Sequence, residues 1–273
     1  MKLKSMLAFS LVTSMSAFAA PKGIKGSDTL AGLVSDAIIQ GGLENELTYL
    51  GTGSGNGEKA AVAGEQGIAP MSREMKKEAK EALKAKGINV VEHVLGLDGI
   101  AIFAKQDADL PLSIDVPTIT KIFKCELTKW EEIPGSKKTG AIQVFRRNDA
   151  SGTTDAFKQF TGIKEFGACA KALEETVDLG KETSVNKQAI AFAGLSGKTP
   201  ANAILALASK AGAASYTPTI ANIRNGNYPF ARKLFVYELE GKMTDAEANL
   251  IGKMTDRFFM DPILVSHGFF TLD

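Results

Sequence analysis

The 273 residues carry 32 Lys and Arg against 31 Asp and Glu, a formal net charge of +1, with 44% hydrophobic residues and two cysteines. So even a balance excludes the global basic bias that a nucleic-acid partner demands. The length suffices for one large or two medium domains, and two suit a ligand enclosed between them.

Taken in chain order, residues 1–19 place Lys2 and Lys4 before an apolar stretch that ends in Ala17-Phe18-Ala19. This is the pattern of a secretory signal peptide cleaved after Ala19. No cysteine follows the cut, so no lipid anchor is expected, and no later apolar run is long enough to span a membrane. Without Lys2 and Lys4 the basic count falls from 32 to 30 against 31 acidic residues, a net charge of about −1.

Residues 25–38, "KGSDTLAGLVSDAI", set Ser27, Asp28 and Thr29 just before an apolar helical pattern carried by Leu30, Leu33, Val34 and Ile38. Residues 50–64, "LGTGSGNGEKAAVAG", repeat the arrangement with Thr52, Gly53, Ser54 and Gly55. In residues 73–87, Met75, Ala79 and Leu83 share one helical face among charges, with Gly87 as a stop. Apolar runs at 99–105, 141–145, 189–195 and 234–239 read as strands alternating with helices, which predicts an α/β fold. Cys125 and Cys169 reach an oxidising compartment in an exported chain, and a disulfide is the expected pairing.

Residues 145–157, "FRRNDASGTTDAF", form the third hydroxyl-rich helix start. The first N–H groups of a helix lack internal partners and carry the positive end of its dipole, so they attract anions. Gly152 lets a ligand approach the backbone, Ser151 and Thr153 add hydroxyls, and Arg147 supplies a two-pronged donor. Arg146 and Arg147 are adjacent at a strand end, so only one of the two can face a given side. Thr244 and Glu247 stand at capping-box spacing and open a C-terminal helix over "TDAEANLIGKMTDRFF".

Nucleotide and catalytic readings fare worse. "GSGNGEK" lacks the ending of a phosphate-binding nucleotide loop, and "GLSGKT" would need its first glycine at Phe192. His93 and His267 stand in no metal-ligand spacing, and Ser54 lies between adjacent glycines rather than in a nucleophile elbow. No cofactor is called for.

Together the segments "GSDTL", "TGSGNGEKAAVAG", "IAPMSREM", "DGIAIFAKQD", "LTKWEEI", "RRNDASGTTDAF", "AIAFAGLSG" and "PTIANIRNGNYPFARKLFVYE" resemble the periplasmic phosphate-binding proteins of the high-affinity phosphate ABC transporter. The resemblance covers nearly the whole mature chain. It implies a type II periplasmic-binding-protein fold, two α/β lobes joined by crossing strands near 99–106 and 212–219 around a central cleft. Lobe one would comprise residues 20–102 and 215–273, lobe two residues 103–214 with both cysteines. Carried over, the phosphate contacts fall on Ser27 or Thr29, on Ser54, and on Arg147, Ser151, Gly152 and Thr153. Asp149 matches the family aspartate that orients the arginine. Ser72, before Arg73, stands where several members have an aspartate that accepts the phosphate proton, and Asp28 is the candidate replacement, with helix capping as its alternative role.

The implied protein is a monomeric periplasmic binder that encloses inorganic phosphate without chemistry and delivers it to a membrane permease. A secreted phosphatase and an extracellular recognition protein on the same scaffold are the alternatives. The phosphatase would need an activated nucleophile or a metal.

Overall fold

The computed structural model describes residues 20–273, so the expected signal peptide at 1–19 lies outside the described residues. Lys22–Lys25 (β1) and Leu47–Leu50 (β2) pair in parallel on either side of Ala31–Gln40 (α1). Ser54–Ala63 (α2), Ile68–Met71 (β3), Lys77–Ala85 (α3) and Val90–Lys105 (β4) follow. The middle of the chain supplies Ser113–Asp115 (β5), Val116–Phe123 (α4), Gln143–Arg147 (β6), Gly152–Thr161 (α5) and Ala170–Leu173 (β7). It continues through Thr176–Val185 (α6), Ala189–Gly194 (β8), Asn202–Ile204 (β9), Ala206–Ala208 (β10), Ser215–Tyr216 (β11) and Ile220–Arg224 (α7). Ala231–Leu239 (β12), Asp245–Thr255 (α8) and Arg257–Ser266 (α9) complete it. Among the described residues no helix is long and apolar enough to cross a membrane.

The fold is α/β in two lobes, and one strand belongs to both. Residues Val90 to Gly99 of β4 pair antiparallel with β12, while Ile100 to Ala104 pair with β8. The central sheet runs β3-β12-β4-β8-β6-β7, with β9 also on β4. One core gathers Ile24, Leu33, Leu47, Leu234, Leu250 and Met260 from the two ends of the chain. Another gathers Ile102, Phe123, Phe157, Phe192 and Leu207 from the middle.

The return to lobe one comes later than the sequence places it. Ile223, Tyr228 and Phe230 are buried with the middle of the chain, and only at Ala231, opposite Gly99, does the backbone rejoin the first sheet. The apolar side chains decide this boundary, since Tyr228 also anchors to β4 by donating to the Ile100 carbonyl at 2.8 Å.

Local signals account for most of the helices. Met75, Ala79 and Leu83 are buried as one face, and Gly87 ends the turn with φ +72°. The Thr244 and Glu247 capping box forms with both reciprocal bonds. The expected single C-terminal helix is two, because Asp256 breaks the run and its carboxylate accepts from the Phe258 N–H to start α9. Phe157, on α5, stacks on Phe192 of β8 with centroids 3.8 Å apart and meets Phe123 at 4.8 Å. Burying such a ring is worth about 1.5–3 kcal/mol, and here it fixes the helix that carries Ser151 to Thr153. Cys125 and Cys169 form a disulfide within the second lobe.

Candidate functional site

The three hydroxyl-rich helix starts, far apart in sequence, meet between the lobes. Ser27 precedes a 3-10 turn at Asp28–Leu30 that runs into α1, and its hydroxyl donates to Ser72 Oγ at 2.8 Å. Ser54 opens α2, and its Oγ lies 3.4 Å from Ser72 Oγ and accepts from the Ser72 N–H at 3.2 Å. From the other lobe, Ser151 caps α5 by accepting from the Thr153 N–H at 3.1 Å. Thr29 Oγ1 and Thr153 Oγ1 are 3.0 Å apart, which closes the ring of hydroxyls across the cleft.

Gly152 is required by this approach: a Cβ there would overlap Ser54 Oγ and lie 2.8 Å from Ser72 Oγ. Gly53 is constrained twice, by its φ of +102° and by the Ala150 carbonyl that a Cβ would strike. The same carbonyl accepts from the Gly55 N–H at 3.2 Å. The starts of α2 and α5 therefore face one another. Two positive dipole ends repel unless negative charge lies between them.

Arg147 ends β6, just before the third helix start, and is 1% exposed. Its Nη1 donates to Asp28 Oδ2 at 2.6 Å and to Thr176 Oγ1 at 2.5 Å, while its Nε is buried with no partner among the described residues. Burial pulls its pKa down, and the charges of Asp28 and Glu175 oppose that pull. Arg146 turns the other way, with its guanidinium 4.7 Å from the Phe166 ring and bonded to Asp149.

Two expectations about carboxylates change. Asp149 does not orient Arg147; its side chain is 65% exposed and pairs with Arg146 and Lys158. Asp149 lies past the end of β6, in the turn before α5, and from there its carboxylate reaches Arg146 and Lys158. Nor does Asp28 cap the first helix, where no side-chain cap bond forms. Its Oδ2 instead accepts from Arg147, from the Thr176 N–H at 3.1 Å and from Thr176 Oγ1 at 2.8 Å. Asp28 belongs to lobe one and all these donors to lobe two. Glu175, beside Thr176, shares a hydrogen bond with Asp28; that bond, burial and the Asp28 charge push its pKa up to about 7.

Two further arginines reach the site and were passed over in the sequence. Arg73, 4% exposed, donates to Glu58 and, across the cleft, to Asp155 of α5, both at 2.7 Å. Arg232 places Nε and Nη2 on Asp98 Oδ2 at 2.9 and 2.7 Å, and its Nη1 donates to Thr153 Oγ1 at 3.0 Å. For Arg232 and its partner Asp98 a signal existed, since each is a charge inside a stretch otherwise patterned as apolar strand, "PFARKLFVY" and "GLDGIAIF". Arg73 and Arg232 also line a cavity of about 500 Å³ beside α5, with Leu97, Phe160 and Ile223 as apolar walls.

The histidines are occupied elsewhere, His93 with Glu238 and His267 with Asp36, each at 2.9 Å. What the site offers is hydroxyls, helix N-termini and arginines already held by carboxylates. It can surround a compact oxyanion with donors.

Comparison with known proteins agrees with this geometry. A model of the PBP superfamily domain matches residues 18–253. The phosphate-binding protein PstS of Staphylococcus haemolyticus is 25% identical over 228 residues, covering 81% of this chain and 71% of its own. PstS of Pseudomonas aeruginosa is 27% identical over 227 residues, covering 78% and 70%. Among solved structures, a protein of Clostridium perfringens with bound phosphate superposes with a TM-score of 0.77 at 20% identity, covering 92% of this chain and 99% of that one. With its fold shared across the full length of that structure and its sequence matched from residue 18 to 253, the chain belongs to the PBP superfamily and is PstS-like.

Proposed function

We propose that this protein is a periplasmic solute-binding protein that closes around inorganic phosphate and delivers it to the permease of an ABC transporter. The observation that carries the reading is the convergence of Ser27, Thr29, Ser54 and Ser72 on the helix start at Ser151, Gly152 and Thr153, with Arg147 tied across the cleft to Asp28. A tetrahedral oxyanion between the lobes would take up the unpaired Arg147 Nε and relieve the repulsion between the two dipoles. The relatives' names favour phosphate among such anions and binding over catalysis. Closure of one lobe on the other then reports occupancy to the permease, as in other hinge-bending binders. Calorimetry on phosphate-stripped protein tests this: saturable binding at micromolar phosphate is expected, and its absence refutes the reading.

Asp28 acts in this reading by holding Arg147 across the cleft. Asp28→Asn keeps the size of the side chain but loses the charge, so it should weaken phosphate and sulfate together, by about tenfold or more. Competition calorimetry with both anions checks this. A loss confined to phosphate would return Asp28 to the role of proton acceptor.

The Glu175 carboxyl gives a pH dependence whose sign is fixed. Its pKa of about 7 in the folded protein exceeds the usual 4.5, so the folded state holds a proton that the unfolded chain has released. The stability from this group is complete below 4.5 and is lost as pH rises through 7. Glu175→Gln should therefore show a melting temperature that falls less than the wild type's between pH 5 and pH 8. Parallel profiles for the two proteins would count against it.

A further inference from the structure

The crossing strands carry a buried ion pair whose remaining donor arm points into the cleft. Arg232 of β12 lies directly opposite Asp98 of β4, one rung before β4 passes from β12 to β8. The pair is deeply buried, with Asp98 0% and Arg232 7% exposed. One oxygen, Asp98 Oδ2, accepts from both Nε and Nη2, which fixes the plane of the guanidinium and leaves Nη1 for Thr153 Oγ1. Gly194 keeps the space narrow, for a Cβ there would lie 3.0 Å from Asp98 Oδ2, 3.1 Å from Arg232 Nη2 and 3.3 Å from the Thr29 methyl. A buried ion pair is at best a weak source of stability, because desolvation consumes the Coulombic gain. Holding two strands together would not require an arm aimed at the hydroxyl of an anion-site threonine.

We propose that Arg232 is an anion-contact residue of the cleft, aimed by Asp98, and that it ties occupancy of the site to the strands on which the lobes pivot. The inference rests on the reading of the cleft as a phosphate site. Arg232 would supply a second guanidinium, from lobe one, opposite Arg147 of lobe two. When the lobes part, Thr153 leaves with α5 while Arg232 stays on β12, so the Arg232 contact forms only on closure. Asp98 is the positioning residue, and it makes Arg232 a preset donor rather than a mobile one.

The test is phosphate calorimetry with thermal melts on the stripped wild type, Arg232→Gln, Arg232→Lys, Asp98→Asn and the double variant of Arg232→Gln with Asp98→Asn. Arg232→Gln should weaken phosphate at least about 30-fold, and Arg232→Lys, which keeps the charge without the fork, by less. The melting shift that phosphate gives the wild type should shrink in parallel. Asp98→Asn should weaken phosphate too, and the double variant should lose no more than Arg232→Gln alone, since both changes remove one contact. A purely structural pair would lower the melting temperature without phosphate and leave the affinity of the folded protein unchanged; that result overturns the proposal. Should Arg232→Gln fail to fold, unchanged affinity in Arg232→Lys overturns it equally. A wild type that takes up no phosphate removes the functional reading and this inference together, whereas a binding wild type with an equally binding Arg232→Gln removes this inference alone.

Discussion

Alanine in place of Arg147 should weaken phosphate binding by roughly 2 to 5 kcal/mol, or about 30-fold to several thousand-fold, while alanine in place of Arg146 leaves it nearly unchanged. The contrast follows from where the two side chains lie. Arg147 is buried, bonded to Asp28 and Thr176, and holds a buried Nε with no partner among the described residues. Removing it takes away a charge-assisted donor and also strands the Asp28 carboxylate, whose side chain is 8% exposed. Arg146 covers Phe166 and pairs with an exposed Asp149, contacts of the kind worth up to about 1 kcal/mol each in stability. Calorimetry on the two variants separates them, and equal losses would contradict the assignment.

Removing the disulfide should be the most damaging change outside the cleft. The bridge joins residues 44 apart in sequence, a loop whose closure is worth about 4 kcal/mol in the chain-entropy model. Replacing both Cys125 and Cys169 by alanine should lower the unfolding free energy by about that amount, measured by urea titration. Position 125 adds a second effect. Cys125 follows the end of α4 with φ +62°, left-handed backbone that costs a side chain bearing a Cβ about 1 kcal/mol or more. Glycine at 125 with alanine at 169 should therefore be the more stable of the two bridge-less proteins. If both melt alike, the backbone at 125 relaxes once the bridge is gone.

Local chemistry made much of this molecule legible from sequence. The starts at Ser54 and Ser151, the capping box at Thr244 and the apolar face of Met75, Ala79 and Leu83 depend on neighbours within a turn or two, and each forms. The partner of Arg147 was not legible, because Asp28 stands 119 residues away. The family resemblance assigned that role to Asp149, which pairs with Arg146 instead. Arg232 and Asp98, 134 residues apart, required the register of two antiparallel strands, which no periodicity specifies. The lobe boundary was misplaced for a related reason: Tyr228 and Phe230 carry no mark that says which core they enter.

The order of strands in the central sheet also bears on how the chain can be built. β12 lies between β3 and β4, so no chain that ends before residue 231 can complete the sheet of lobe one. Until then both strands offer an unpaired edge along residues 68–71 and 90–99. The pairings of the middle, by contrast, are all available once residue 216 has been made. In a chain synthesised from its N-terminus, the lobe that begins first is thus the one that must finish last, and the finished second lobe hangs between its two halves while it waits.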